Sequence, residues 1–419
     1  MKHLSFLSLL LLLFISSCTK DSGDLTVTFD KATAEYGDIS EIRNTPLISA
    51  PKAIENQGKI FLGEDFLLIG EEGKGIHVYD NTNPANAVNM LFINLPFTKE
   101  FIVNGNFIYA ESQYDMVKID ISDPYSPVLL QRLENAFYDL ITNDEGQALL
   151  GFYYETVTET FKINGRELRE LENNPVLFYD YTENLIPNSA VPASFAGNSS
   201  GQFGTINRIT AVNDYVYAVA KNKMHVFSDN GLMAKANTLN SSDLMETIYP
   251  QGEYLYVGGN TAVTIYDNRN PELPIETSSY AHITSCDPVL PNGSVAYVTL
   301  RTGDFSNCPG DVNAMEVLNI NNPNNPQRIT DFEMNSPYGM CIVGDLLYVG
   351  EGESGLAKFD ISNVSQPIYL GTDSSIKAYD VMPHPTQNDL ILTTGPNGIE
   401  QYDYNPETFT MSLIGVILM

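Results

Sequence analysis

The sequence predicts an all-β chain: a single β-propeller of four-stranded blades, eight in number, with seven as the alternative. Three observations predict it. A turn running from an acid or Asn into Asn and Pro recurs along the chain, as in Tyr79-Asp80-Asn81-Thr82-Asn83-Pro84 and Ile119-Asp120-Ile121-Ser122-Asp123-Pro124. A Gly/Asn/Asp turn before a short apolar run precedes most copies, as in Asn104-Gly105-Asn106-Phe107-Ile108-Tyr109 and Gly344-Asp345-Leu346-Leu347-Tyr348. The composition is rich in Tyr (24) and in turn formers (30 Gly, 23 Pro) and has no Trp. Aromatic residues favour strands, and Gly and Pro punctuate them.

The N-terminus reads Met1-Lys2-His3 and then an apolar run, Leu4 to Ile15, broken only by Ser5 and Ser8. That is shorter than the roughly 20 residues a spanning helix needs, and a charged start with a short apolar core reads as a secretory signal. Ile15-Ser16-Ser17-Cys18 resembles the lipobox of bacterial lipoproteins. We therefore expect a signal peptide over 1–17, lipidation of Cys18, and a flexible tether over 18–40. The expected location is the outer membrane, on its periplasmic or cell-surface face, with the membrane touched only through the lipid. Residues 41–57 read as a lead-in and 58–419 as the propeller.

The 22 basic and 52 acidic residues give a net charge of −30. A surface so acidic repels phosphates, so nucleic acid is not expected as a partner. Besides Cys18 there are three cysteines. Cys341, in an apolar run, reads as a small buried hydrophobe, whereas Cys286 and Cys308 flank a polar loop and are expected to form a disulfide.

The acid or Asn of each turn falls at positions 80, 120, 180, 229, 267, 319, 360 and 403. The copies at 180, 229 and 403 are weaker. Spacings of 38 to 60 residues, most of them between about 40 and 50, match a propeller blade. In the clearest unit, strand a is Tyr338–Val343, b Leu346–Gly350, c Gly355–Asp360 and d Pro367–Gly371. Asn-Gly and Gly-Asp supply the positive φ of the a–b turn. The Asp-to-Pro element is the c–d turn, its Asp or Asn accepting from its own backbone. No single turn has the carboxylate density of a calcium loop. Eight units follow: 58–96, 97–135, 136–203, 204–242, 243–282, 283–335, 336–375 and 376–419. The last contains its own d strand, so the ring does not need an N-terminal strand to close, while Leu47-Ile48-Ser49-Ala50 can pack on an edge.

Phe107–Tyr109 with Val117–Pro124, and Leu347–Val349 with Lys358–Asn363, carry a resemblance to the LVIVD-repeat family of secreted or lipid-anchored bacterial propellers. The resemblance spans about 58–419 and is clear in units 1, 2, 5 and 7. It implies the fold and no particular activity.

In a propeller the d–a and b–c loops share one face. The Glu155–Asn173 insertion, read as a b–c loop, and Ser189–Gly204, read as a d–a loop, both fall there, as do the two paired cysteines. Function concentrates on long loops carried by a rigid scaffold. The starts of the a strands should line the channel mouth with Lys99, Glu100, Tyr138, Asp139, Asn207, Arg208, Glu246, Asp287, Tyr338 and Asp380. Of these, Lys99, Tyr138, Asp139, Arg208, Glu246, Asp287, Tyr338 and Asp380 are the candidate ligand-binding set. Four acids, Asp139, Glu246, Asp287 and Asp380, were they gathered there, would suit a cation, although a wet channel is polar in any case. No cofactor is expected.

The chain has no phosphate loop, His-Glu-x-x-His or Gly-x-Ser-x-Gly. His77 and His225 fall in c strands and His384 in an a–b turn, where packing explains them. Tyr153 and Tyr154 offer rings that could stack on sugars, but strand packing is the favoured reading. Without catalytic signatures, the favoured function is a monomeric, non-catalytic binding or scaffold module that takes a protein or polysaccharide on the loop-rich face. An enzyme acting on envelope polysaccharide through channel-mouth carboxylates, and a purely structural envelope component, are the alternatives.

Overall fold

The computed structural model describes residues 22–164, 208–259, 261–282, 288–301, 312–387, 389–405 and 407–418. Residues 1–17, Cys18, Cys286, Cys308, Asn207, Asp287 and the 189–204 stretch lie outside them. The chain divides into two compact units, one of 1–37 with 142–196 and the other of 38–141 with 197–419.

In the smaller unit, Ser22–Gly37 pairs antiparallel with Ala148–Asn164, from Ser22↔Asn164 to Gly37↔Ala148, with one register shift at Glu35/Tyr36. Two expectations change here. The tether over 18–40 is a strand over Ser22–Gly37, and the described residues 136–164 of the expected third unit form no blade. Its residues 155–164, expected in a loop, finish the second strand. Period-2 alternation such as Leu25-Thr26-Val27-Thr28-Phe29 is a strand signal, but only long-range pairing could reveal its partner.

The larger unit is a β-propeller. Its first sheet orders Ile48–Ser49, Val88–Asn94, Gly75–Asp80, Phe66–Glu71 and Gln57–Leu62 from rim to axis. Ile48 and Ser49 pair with Ile93 and Phe92, so the lead-in does pack on an outer edge. The second sheet holds Phe101–Asn104, Phe107–Ser112, Asp115–Asp120 and Val128–Leu133. The third has six strands: Ile209–Val212, Tyr215–Asp229, Met233–Gln251, Tyr254–Gly259, Ala262–Asp267 and Ile275–Ala281. Val289–Asn292, Val295–Leu300, Ala314–Asn319 and Gln327–Glu333 form the fourth. The fifth is Met340–Val343, Leu346–Gly350, Leu356–Asp360 and Ile368–Asp373. Asp380–Pro383, Leu390–Gly395, Gly398–Asn405 and Thr410–Ile417 make the sixth, with its own d strand.

Counted as hydrogen-bonded sheets among the described residues, the blades number six, not eight or seven. Besides the absence of a blade over the described residues 136–164, the cause is fusion of units 204–242 and 243–282. The stretch Thr238 to Ile248 contains neither Gly nor Pro. The d strand of one unit therefore runs on as the a strand of the next, and Met245 pairs with both Lys221 and Gly259.

The turn chemistry is as the repeats predict. Asp120 Oδ1 accepts from the Ser122 N–H at 2.8 Å and Asp360 Oδ1 from the Ser362 N–H at 2.8 Å. Asp80 and Asn319 do the same with Thr82 and Asn321, each at 3.0 Å. The a–b turns need positive φ: Gly105 has +57° and Gly344 +58°, and Asn213 takes +53° in their place. Each c–d pair carries a register shift, for example at Lys358/Phe359 and Gln401/Tyr402. Such bulges add twist to outer strands and disfavour edge-to-edge pairing.

The core is distributed between sheets. Leu68, Ile93, Phe101 and Ile119 fill the space between the first two, and Tyr109, Phe137, Val216 and Phe227 the next. Val226, Ile248 and Leu255 pack between the two halves of the double sheet. Ile265 with Val298, Val317 with Phe359, and Tyr348 with Ile391 continue round the ring. Leu67, Ile69, Leu392 and Ile399 close it between the sixth sheet and the first. Burying one such side chain contributes about 1.5–3 kcal/mol, and the sum holds each blade to its neighbours.

Polar links reinforce specific joints. Asn81 and Gln401 exchange amide hydrogen bonds of 3.0 and 2.8 Å across the closing joint, and Gln401 Nε2 also donates to the Pro84 carbonyl at 3.1 Å. His384 Nε2 contacts the Glu64 carbonyl at 2.8 Å, while its Nδ1 accepts from the Gln387 N–H at 3.0 Å. Lys118 and Tyr109 of the second sheet both bind Asp229 of the third. The short helix Ile39–Arg43 is pinned by Arg43, whose guanidinium holds the buried Asp115 at 2.8 and 2.9 Å. His77, packed edge-on to Phe92, and His225, between Phe137 and Phe227, are core residues. Burial pushes His225 down to about 4, with Lys235 and Lys223 adding to the effect.

Candidate channel-mouth site

The a strands begin at equivalent positions, fixed by their hydrogen bonds to the b strands. Glu100, Arg208, Pro288 and Gly339 each accept, at their carbonyl, from the N–H of Glu111, Val219, Thr299 and Gly350. Thr247 pairs with Gly258 and Asp380 with Thr394 at the same level, and Lys59 abuts Gly70. Around the axis this level therefore reads Asp380, Lys59, Glu100, Arg208, Thr247, Pro288, Gly339. Four consecutive positions alternate acid and base, and three carry no ionisable side chain.

Asp380 is fully buried and its two oxygens have no hydrogen-bond partner in good geometry. Burial pushes its carboxyl up to about 8, with Val381 and Lys59 only partly opposing. It packs so closely on the next position that a Cβ on Gly339 would lie 2.1 Å from Oδ1. Lys59 is buried between Glu100 and Asp380; desolvation lowers its pKa against the pull of both acids. Burial raises Glu100, opposed by Lys59 and Arg208. Glu111, cross-strand from Glu100, is pushed up to about 7 by burial and by the like charge of Glu100. Its Oε1 accepts the Lys99 N–H at 3.1 Å.

One residue earlier in each strand lies the outer rim: Gly58, Lys99, Glu246, Tyr338 and Tyr379 among the described residues. Tyr338 and Tyr379 meet edge-to-face with centroids 5.0 Å apart, and the Arg301 guanidinium sits 4.3 Å from the Tyr338 ring centre. Gly352 runs beneath both rings, where a Cβ would lie 2.9 Å from Tyr338. Both tyrosines are half-buried, each leaving part of its ring in solvent.

The structure thus sorts the predicted residues into two levels. Lys99, Glu246 and Tyr338 belong to the rim, and Glu100, Arg208 and Asp380 to the inner level. Tyr138 and Asp139 are at neither, because they lie in no a strand of the propeller sheets. Tyr138 packs against His225 at 6.1 Å between ring centres, and Asp139 is exposed with Lys235 as its nearby charge. The four acids expected to gather do not: Asp139 is displaced, Glu246 and Asp380 differ in level, and Asp287 lies outside the described residues. No group of three or more His, Cys, Asp or Glu that could hold a metal ion occurs among the described residues. Sequence reasoning misses Lys59, Glu111, Tyr379 and Arg301. Lys59 escapes because its a–b turn, Gly63-Glu64-Asp65, lacks the usual Asn-Gly. Tyr379 was findable, since it precedes Asp380 as Tyr338 precedes Gly339.

The LVIVD repeat family matches residues 98–134 and 339–372, the second sheet and the fifth. No curated protein matches the sequence. Among solved structures, the Neurospora crassa Pan2 WD40 domain aligns at 9% identity and a TM-score of 0.50, covering 80% of this chain and 85% of that one. BamB from Moraxella catarrhalis aligns at 8% identity and a TM-score of 0.49, over 90% and 99% of the two chains. The designed protein Ika8 aligns at 10% identity and 0.49, over 88% and 89%. The first of these supports the fold and nothing more. The joints between sheets, the Asp-to-Pro turns and the two family matches lead to one statement: this chain is a β-propeller carrying LVIVD repeats.

Proposed function

We propose that the chain is a lipid-anchored, non-catalytic binding module of the bacterial envelope that takes a protein or polysaccharide partner on the face where its a strands begin. The observation that carries this reading is the rim. Tyr338 and Tyr379 present rigid, partly exposed rings beside Arg301, with Lys99 and Glu246 at equivalent positions on other blades. Aromatic rings and arginine supply contact area at little entropic cost and dominate recognition surfaces. Seven apolar clusters hold that rim still. The apolar leader ending at Cys18 supports the anchor.

The test is binding of the full chain to an array of envelope polysaccharides and to purified envelope proteins. Tyr338→Ala with Tyr379→Ala should weaken capture at least tenfold, while Asp139→Asn, away from the rim, should leave it intact. Unchanged capture by the double variant, or turnover of a bound polysaccharide by the wild type, would overturn the proposal. Loss of palmitate labelling in Cys18→Ala tests the anchor separately.

A further inference from the structure

The seam between the fifth and sixth sheets holds the Tyr338–Tyr379 pair by its backbone. The Tyr338 N–H donates to the Gly350 carbonyl at 2.8 Å and the Tyr379 N–H to the Thr394 carbonyl at 2.7 Å, while the Tyr379 carbonyl accepts from the Gly339 N–H at 3.0 Å. Gly352 donates its own N–H to the Ala378 carbonyl at 2.7 Å, which keeps the turn 351–355 under both rings. Rings fixed in this way lose little freedom when a partner lands on them.

The surroundings of the rings set the class of partner. The turns that carry and support them, 334–339, 351–355 and 374–379, expose no large apolar side chain. Their exposed positions are Asn335, Glu353, Ser374 and Ser375. A protein partner calls for an apolar, charge-poor core around its anchors. A pyranose has a C–H face bordered by hydroxyls, and it calls for a ring with hydrogen-bonding groups beside it, as here.

The charges set the sign. Lys377 and Glu353 pair at 2.6 Å and cancel. Arg301 stacks on Tyr338 and makes no ion pair among the described residues. A guanidinium is always charged, and stacking engages its face rather than the N–H fork in its plane, which matches a carboxylate through two parallel hydrogen bonds. The net charge of −30 opposes an anion at long range. Physiological salt screens that repulsion beyond about 8 Å, so the groups at the contact decide.

We infer that the partner is a uronic-acid polysaccharide, an assignment that rests on the reading of the rim given above. A pyranose ring packs on the exposed part of the Tyr338–Tyr379 pair, and its carboxylate takes the guanidinium of Arg301.

The test is isothermal calorimetry of the full chain with oligomers of galacturonate, glucuronate and mannuronate, each as the free acid and as its methyl ester. The ester keeps the ring and removes the charge. At least one acid should bind, and tenfold or more tightly than its ester. Arg301→Gln should bring acid and ester to equal affinity, and Arg301→Lys should restore part of the difference. Tyr338→Ala with Tyr379→Ala should abolish binding of both. Equal affinity for acid and ester in the wild type, binding of none of the three acids, or an unchanged preference in Arg301→Gln would each overturn the uronate assignment. Capture of a neutral glycan or an envelope protein through the two tyrosines, without uronate binding, would overturn it and leave the rim reading standing. Uronate binding that ignores the tyrosines would overturn both. The acid–ester comparison in the wild type decides the matter even where a variant fails to fold.

Discussion

Replacing Gln401 by Leu should open the propeller at one identifiable joint. Gln401 is fully buried and satisfies both polar atoms of the Asn81 amide, as well as the Pro84 carbonyl. The substitution keeps most of the volume and leaves three polar groups without this partner, two of them on the buried Asn81 amide. Each stranded group costs about 1–3 kcal/mol. Partial relaxation toward water is open to Pro84 at the surface but not to Asn81, which is buried. We therefore expect a loss of about 2–4 kcal/mol. Adding Asn81→Leu removes the orphaned amide, and the double variant should recover at least about 1 kcal/mol, a coupling that a double-mutant cycle reads directly. Urea unfolding gives the stability change. Native-state hydrogen exchange gives its place, with faster exchange in Gly75–Asp80 and Gly398–Asn405 and little change in Tyr254–Gly259. Additive single-variant losses, or protection lost evenly across all sheets, would refute the view that this pair is a specific clasp.

Three further outcomes are expected. Arg43→Met removes the two-pronged contact to Asp115; Arg132 and the Asn135 N–H remain, so the loss in urea should be about 2–3 kcal/mol, below the full value for breaking a buried pair. Asp380 binds a proton in the fold from its ordinary value near 3.8 up to about 8, so its contribution is complete below the lower value and is lost as pH rises through the upper one. Wild-type stability should therefore fall between those values, and Asp380→Asn should flatten the profile and gain at pH 9. Gly105→Ala places a side chain at φ +57° and should cost about 1 kcal/mol by thermal melting, whereas Gly105→Asn should cost less, since Asn213 already holds +53° at the equivalent turn of the third sheet.

Much of the fold was legible because its signals are local. The Asp-to-Pro turn satisfies its own backbone within a few residues, so Asp80, Asp120 and Asp360 mark the c–d turn wherever they occur. Glycine at 105 and 344 marks the a–b turn for an equally local reason. The strands read from Tyr338 to Gly371 agree with those observed to within about two residues, the ordinary uncertainty of element ends. The channel-mouth residues were only partly legible. Counting back from the b-strand aromatic finds Lys99, Arg208, Glu246, Tyr338 and Asp380, but not that Asp380 is buried and unpaired or that Tyr379 flanks Tyr338. Both depend on which blade is next door.

Composition and spacing alone determined that this chain builds β-sheet repeats of a propeller, with turns of a stated chemistry and a net charge of −30. Hydrogen bonds within a turn and alternation along a strand are written over a handful of neighbouring residues. Tertiary structure decided the rest. It drew Ala148–Asn164 to a partner more than a hundred residues earlier, fused two repeats through an uninterrupted strand, and set Lys59 between two acids at the seam. Those outcomes depend on burial and on competition between distant partners, and no local window of sequence contains either.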